Sequence, residues 1–275
     1  MINVLKRHPL MLWGGLIVAA LVVTALTAPI LAPQDPKAQD LAQSLLSPGW
    51  HHWLGTDQYG RDVLSRLLYG ARVSLAVGFV AVSLYVLIGV TLGALAGYYG
   101  GWVDLVLMRF VDVMLCIPTL FLILMVIAFV GPSILNVMVV IGLTSWMGVA
   151  RLVRGEFLTL KERDFVTAAR VIGMTDARII LTQILPNALG PVLVVATLGV
   201  GSTILTESAL SFLGLGVQPP TASWGNMLTE GKEHLTDAWW LVTFPGLAIF
   251  TTVLGYNLLG QGLRDWLDPR HQGKH

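Results

Sequence analysis

The stretch VMLCIPTLFLILMVIAFVGPSILNVMVVIGLTSWMGVA, Val113 to Ala150, runs for 38 residues without a charge. As one helix, at about 1.5 Å per residue, it would be about 57 Å long, almost twice the roughly 30 Å of a bilayer's hydrocarbon core. It has to fold back on itself. Gly131-Pro132-Ser133 is the place for that reversal, because proline lacks a backbone donor and glycine tolerates the turn. Two apolar crossings joined by one tight turn make this an all-α integral membrane chain.

Working outward, the same pattern recurs. No charge lies between His8 and Asp35, so Leu10 to Ile30 is a first span behind Lys6 and Arg7. That start mimics a secretory signal, but a signal's apolar region runs only about 7–15 residues, so the reading is an uncleaved anchor with a cytoplasmic N-terminus. A second span lies at Leu75 to Tyr98, and the long quoted stretch supplies the third and fourth. Ile179 to Thr206, interrupted by Pro186 and Pro191, and Ala238 to Leu263, interrupted by Pro245, bring the expected total to six. Composition agrees: 55% of the 275 residues are hydrophobic and 12% charged, against about 25% charged in an ordinary soluble domain. A net charge of +1 leaves no basic field to draw nucleic acid. Cys116 is the single cysteine, so no internal disulfide forms, and inside an apolar run it reads as a small buried hydrophobe.

With the N-terminus inside, twelve Lys and Arg fall on cytoplasmic segments and five on outer ones, the asymmetry that cytoplasmic loops show. Trp50, Trp53, Trp239 and Trp240 then anchor the outer interface, and Trp102 and Trp266 the inner one. Gly89, Gly93 and Gly97 recur every four residues and open one face of the second span to close approach by another helix.

One segment is too charged to cross. Arg151 to Pro186 holds six of the seventeen cations. Within it Phe165, Ala168, Ala169 and Ile172 fall at helical spacing, forming an apolar stripe opposite Asp164, Thr167 and Arg170. Gly173 ends that helix, and Thr175 is placed to cap a second one carrying Ile179, Ile180, Ile184 and Leu185. Two short helices meeting at a glycine make an elbow. On composition alone such an elbow could lie on lipid, brace the bundle or plug into a soluble partner.

The run from Asp164 to Gly173, followed by Leu185-Pro186-Asn187, resembles the cytoplasmic loop of ATP-binding-cassette importer permeases. That loop reads Glu-Ala-Ala, three residues, Gly, nine residues, Ile, one residue, Leu-Pro. Ala168, Ala169, Gly173, Leu185 and Pro186 match in place. Thr167 stands where the pattern has Glu, and Gln183 where it has Ile. Three longer blocks resemble the second permease subunit of dipeptide, oligopeptide and nickel importers: HWLGTDQYGRDVLSRLLYGARVSL (52–75), SFLGLGVQPPTASWGNML (211–228) and FPGLAIFTTVLGYNLLGQGLRDWLDPR (244–270).

The resemblance implies a type I importer permease fold in three parts. Residues 1–72 would form an N-terminal span and extracytoplasmic segment, and 73–263 the transmembrane domain with its coupling loop at 154–186. Residues 264–275 would be a cytoplasmic tail. It implies a bacterial inner-membrane subunit with both termini cytoplasmic, working with a homologous second permease, two cytoplasmic ATPases and an extracytoplasmic solute-binding protein. Asp164, Ala168, Ala169, Gly173, Leu185 and Pro186 would couple to the ATPases. ATP and Mg would belong to those partners, with no cofactor or metal and no catalytic residue in this chain. Consistent with that, Gly231-Lys232 is followed by Glu233, so no phosphate-binding loop is formed. The cargo implied is a small peptide, or alternatively nickel or a nickel chelate.

The remaining polar residues are read one at a time. Glu207, an acid within a long apolar run, is either a lining residue of the translocation path or a helix-end group at the interface. Asp104, Arg109 and Asp112 sit at the start of the third span, with 109 and 112 spaced for a helical ion pair. Asp57/Arg61 and Asp62/Arg66 are each four apart and read as helix support or as a docking face. His51 and His52, adjacent in sequence, make a poor metal site and read as surface residues. A stand-alone secondary transporter would need repeated halves with several midplane ionisable groups, and a membrane enzyme a paired catalytic set. Neither is visible.

Overall fold

A computed structural model describes residues 9–267. Lys6, Arg7, Arg270 and Lys274, which enter the charge asymmetry, lie outside the described residues, as does most of the tail. The described residues are helical, with one isolated antiparallel bridge, Thr56 to Asp62.

In chain order the helices are α1 (Pro9–Leu31), α2 (Val63–Tyr99), α3 (Gly101–Leu115), α4 (Thr119–Val130), α5 (Ile134–Thr144) and α6 (Met147–Leu160). Then come α7 (Asp164–Val171), α8 (Asp176–Ile179), α9 (Leu185–Phe212), α10 (Trp224–Gly231) and α11 (Trp240–Leu267). Five stretches are long and apolar enough to cross a membrane: α1, α2, α5 with α6, α8 through α9, and α11. The pair α3 and α4, bent by 84°, makes a sixth if counted as one broken crossing. The expected reversal falls in place. Gly131 ends α4 at φ +85°, and the Ser133 hydroxyl caps α5 by accepting the Asn136 N–H at 3.1 Å.

The third crossing departs from expectation. It begins at Gly101 rather than after Asp112, and it breaks at Cys116-Ile117-Pro118. Proline disfavours helical backbone in the residue before it and has no N–H to donate, so a Pro within an apolar run can end one helix and start another. Pro191 and Pro245 do the opposite of what was expected and lie inside continuous helices, as neighbouring helices allow in membrane spans. Cys116 is exposed rather than buried, at the end of a helix whose residues are mostly exposed, with its thiol 3.3 Å from the Asp112 carbonyl oxygen.

Helix α2 is central, and small residues let its neighbours approach. A Cβ on Gly89 would lie 2.6 Å from Val149 Cβ, one on Gly93 2.5 Å from the Ala150 carbonyl oxygen, and one on Gly97 2.6 Å from Phe157 Cβ. Those partners are all on α6, so the four-residue glycine ladder is the α2–α6 seam. On α5, Gly142 meets Leu84 of α2 in the same way, and on α11 Gly260 meets Leu198 of α9. Lipid tails are as apolar as leucine, so close packing of this kind takes over the role that hydrophobic burial plays in water.

Candidate coupling elbow and transmembrane groove

The elbow is built as its sequence suggests, and then turned. Helix α7 closes in a Schellman arrangement: the Gly173 N–H donates to the Arg170 carbonyl at 3.0 Å and the Met174 N–H to the Ala169 carbonyl at 3.1 Å. Gly173 takes φ +80°, a left-handed conformation that glycine adopts without a Cβ clash. Asp164 lies in the first turn of α7, where a carboxylate meets the positive end of the helix. Thr175 has extended backbone ahead of α8, but its side chain makes no cap bond. After α8 the chain passes through a wide π turn, Ile180–Ile184, into α9. Leu185 opens α9 with Pro186 in its first turn, where the missing N–H leaves no bond unmade.

The expected stripe does not pack as one face. Val166 and Ala169 are the buried pair of α7, while Phe165, Ala168, Val171 and Ile172 are exposed, the last two at 82% and 77%. Two turns of helix touch the bundle along a single i, i+3 line, and the wider stripe cannot fit against it. From the other arm Ile179 and Ile184 are buried. Polar contacts tie the elbow to the central helix: Tyr98 Oη donates to Asp176 Oδ1 at 2.6 Å, and the Arg170 guanidinium lies 5.8 Å from the Tyr98 ring centre.

Beside the elbow, α3 is fastened to α6. Arg154 forks onto both oxygens of Asp104, with Nη2 to Oδ2 at 2.6 Å, and Arg151 Nη2 lies 2.6 Å from Asp112 Oδ1. The expected Arg109–Asp112 pair is present but long, at 3.7 Å, and both side chains are largely exposed. Arg151, 39 residues on, is the closer partner.

Between α2, α6, α9 and α11 lies an open groove of about 480 Å³. Its polar lining is uncharged: Tyr85, Ser145, Ser202, Thr203, Thr206 and Asn257, among apolar neighbours. The Ser202 and Thr206 hydroxyls and the Asn257 amide donate to carbonyls of their own helices, at 3.0, 2.9 and 2.8 Å. Their oxygens remain as acceptors. Sequence reasoning missed this groove because spaced Ser and Thr in a span give no periodic signal.

Glu207 is not on that surface. It is wholly buried, its Oε1 accepting from Ser211 Oγ at 2.8 Å and Ser223 Oγ at 3.0 Å. Ser223 caps α10, so Glu207 pins that short helix to α9. Trp224 follows, its backbone N–H donating to Ser74 Oγ at 3.2 Å and its indole N–H to the Leu67 carbonyl at 3.1 Å.

The far end of the bundle carries a buried ionic knot. Arg61 reaches Asp57 at 2.5 Å and Glu230 at 2.7 Å; Arg66 reaches the same Glu230 oxygen at 2.8 Å and Asp57 at 3.5 Å. These residues do not form exposed helix support. Asp57 lies in a turn, and Asp62, rather than pairing with Arg66, caps α2 by accepting the Ser65 N–H at 2.8 Å. His52 is buried between Asp62, 3.0 Å away, and Gln43, 2.7 Å away, whereas His51 is exposed as expected. Trp240 is also buried, its indole N–H donating to the Thr56 carbonyl at 3.1 Å. It packs rather than anchors. Trp50, Trp53, Trp102, Trp239 and Trp266 are exposed.

The fold these helices define is that of importer permeases. The chain superposes on a subunit of the MetNI methionine ABC transporter in an inward-facing conformation with a TM-score of 0.58 at 20% identity, covering 74% of this chain and 97% of that one. It superposes on an amino acid ABC transporter with histidines at 0.56 and 18%, covering 74% and 95%.

Sequence comparison gives the family. Residues 89–272 match the family described as "Binding-protein-dependent transport system inner membrane component", and residues 1–48 match the "N-terminal TM domain of oligopeptide transport permease C". The chain belongs to this family of permeases. It is 43% identical to the dipeptide transport system permease protein DppC of Alkalihalophilus pseudofirmus, over 97% of this chain and 88% of that protein. It is 42% identical to the probable D,D-dipeptide transport system permease protein DdpC of Escherichia coli, over 98% and 91%. It is 43% identical to the glutathione transport system permease protein GsiD of Pectobacterium atrosepticum, over 94% and 86%.

Proposed function

We propose that this chain is one of two permease subunits in an importer of small peptides driven by ATP bound, with Mg, in two separate ATPase subunits, and that its elbow is the part those ATPases grip. The observation that carries the reading is the exposed edge of Phe165, Val171 and Ile172. It sits on a segment whose Arg163, Asp164, Arg170 and Arg178 keep it out of hydrocarbon. Large apolar side chains exposed among charges mark a surface awaiting a partner. Asp164, Ala168, Ala169, Gly173, Leu185 and Pro186 shape that surface: the first sets the start of α7, Ala168 leaves room beside the exposed edge, the buried Ala169 seats the helix against the bundle, and the last three fix the two bends.

The cargo reading rests on the relatives, whose names specify dipeptides and glutathione; nothing observed favours the nickel alternative. An uncharged groove rich in acceptor oxygens suits a peptide, which offers N–H and ammonium donors, and holds no fixed charge that would trap it. Glu207 serves this path indirectly, by holding α10 against α9. In this reading both termini and the elbow are cytoplasmic, and the ionic knot faces the solute-binding protein.

Two experiments test these readings. In a strain lacking its own peptide permeases, the chain with its operon neighbours restores uptake of labelled dipeptide; uptake of nickel alone would overturn the cargo. Single cysteines at Thr182 and Gln218, in a Cys116→Ser background, are labelled from inside and outside respectively by a membrane-impermeant maleimide. The reverse pattern would overturn the orientation.

A further inference from the structure

At the end of α1 remote from its N-terminus, the chain turns through Pro33 and Pro36 and meets the start of α2 and the Pro219-Pro220 loop, enclosing a pocket of about 690 Å³. That volume is in the range that receives a small ligand. Lys37 comes from the turn and Tyr69 and Arg72 from α2. Among the described residues neither cation is in an ion pair, and the Arg72 guanidinium rests 5.8 Å from the Tyr69 ring centre. Asp35 is the one acid in the lining, and its Oδ1 is already engaged in its own turn, accepting the Lys37 N–H at 2.8 Å. Two cations against one engaged carboxylate leave a net positive pocket.

The surface leading into it is apolar. Val23, Leu26 and Ile30 fall on one face of α1 and are all exposed, Leu26 at 72% and Ile30 at 85%, and Pro29 from the same turn lines the pocket. Exposed apolar side chains are ordinary on a span. Here, however, they form a track about 10 Å long, by helical rise, that ends at paired cations and a tyrosine. A free anion uses only the cations. An amphiphile uses both.

We propose that this pocket binds the phosphodiester headgroup of an anionic phospholipid, with an acyl chain lying along the exposed face of α1. Tyr69 is an amphipathic aromatic of the kind that settles in the headgroup layer. The four prolines of the lining, Pro29, Pro33, Pro36 and Pro220, hold the walls in place before the lipid arrives, so little ordering cost is left to binding. This inference does not depend on cargo, on ATPase docking or on which side of the membrane the pocket faces.

The test uses the assembled transporter, purified in mild detergent and titrated with phosphatidylglycerol or phosphatidylcholine under native mass spectrometry. The expected result is a preference of about tenfold for phosphatidylglycerol, from two charges near a membrane surface, lost in a Lys37→Ala/Arg72→Ala variant. Arg72→Lys keeps the charge and retains most of the preference. Both residues are exposed and outside the ion-pair networks, so an unchanged melting temperature accompanies the loss. No preference in the wild type, or full preference in the double variant, would overturn the proposal. Inorganic phosphate at millimolar concentration, or a dipeptide, separates the sources: neither displaces the lipid if the site is for an amphiphile, and displacement by either would make it a pocket for soluble anions.

Discussion

At one end of the bundle three buried charged side chains, Asp57, Arg61 and Arg66, meet the partly buried Glu230 and bridge the turn before α2 to α10. At the other end the elbow meets the central helix through the Tyr98–Asp176 hydrogen bond, with Arg170 against the same tyrosine, and through the buried Val166, Ala169, Ile179 and Ile184, and it leaves Val171 and Ile172 in the open. The contrast follows from what each end lacks. In the knot each charge has an opposite partner within the chain, while Arg66 Nη1 makes no hydrogen bond; buried ions of this kind are costly to disturb because each leaves an uncompensated neighbour. The elbow leaves large apolar side chains exposed, as the proposed docking to an ATPase requires, and on that proposal it is the element with two arrangements. On the proposed reading the knot is a stiff outer cap and the elbow a pliant inner handle, so that one end moves while the other keeps the helices in register.

The largest effect expected is at the knot. Arg61→Met removes the closest partner of both Asp57 and Glu230 and destabilises the protein by about 3–5 kcal/mol, read as a lowered unfolding temperature in detergent. A melting temperature equal to wild type would mean that the cap is not stiff. Next comes the elbow surface. Val171→Asp with Ile172→Asp is expected to cut peptide uptake about 100-fold, by desolvating charge in an interface core, while membrane insertion and melting temperature stay unchanged. Loss of the protein instead of loss of uptake would place those side chains in the fold and not at a partner.

A smaller effect sharpens the comparison at the joint between handle and bundle. Tyr98→Phe deletes a hydrogen bond to a carboxylate, worth about 1.5–3 kcal/mol. It is expected to raise the ATP hydrolysed per peptide transported by about fivefold or more while the ATPases stay bound. An unchanged ratio would show that Tyr98 does not carry the motion. Smallest of all, Asp112→Asn breaks an exposed pair with Arg151 and shifts stability by no more than about 1 kcal/mol.

Much of the architecture was legible from spacing alone. Charge-free intervals located five of the crossings but not the start or the break of the third, Gly131-Pro132-Ser133 located the reversal, and Gly89, Gly93 and Gly97 located the α2–α6 seam, because each rests on a local rule of length or size. What was misread depended on contacts far apart in sequence. Asp57, Arg61, Asp62 and Arg66 looked like paired helix charges, since Glu230 lies 169 residues beyond Arg61 and no local pattern announces it. Trp240 and Glu207 were likewise judged by their neighbours in sequence and are decided by Thr56 and Ser223. The break at Pro118 was available from the residue type and was masked by the length of the apolar run. In the elbow the periodicity was right and the face was wrong, since periodicity cannot say whether an apolar stripe turns inward or waits for another protein.

The most direct test of the handle is a single cysteine at Val171, in a Cys116→Ser background, carrying a short photocrosslinker in the assembled transporter. The account predicts a covalent adduct with an ATPase subunit in high yield. An adduct with lipid, or none with any soluble subunit, would contradict it.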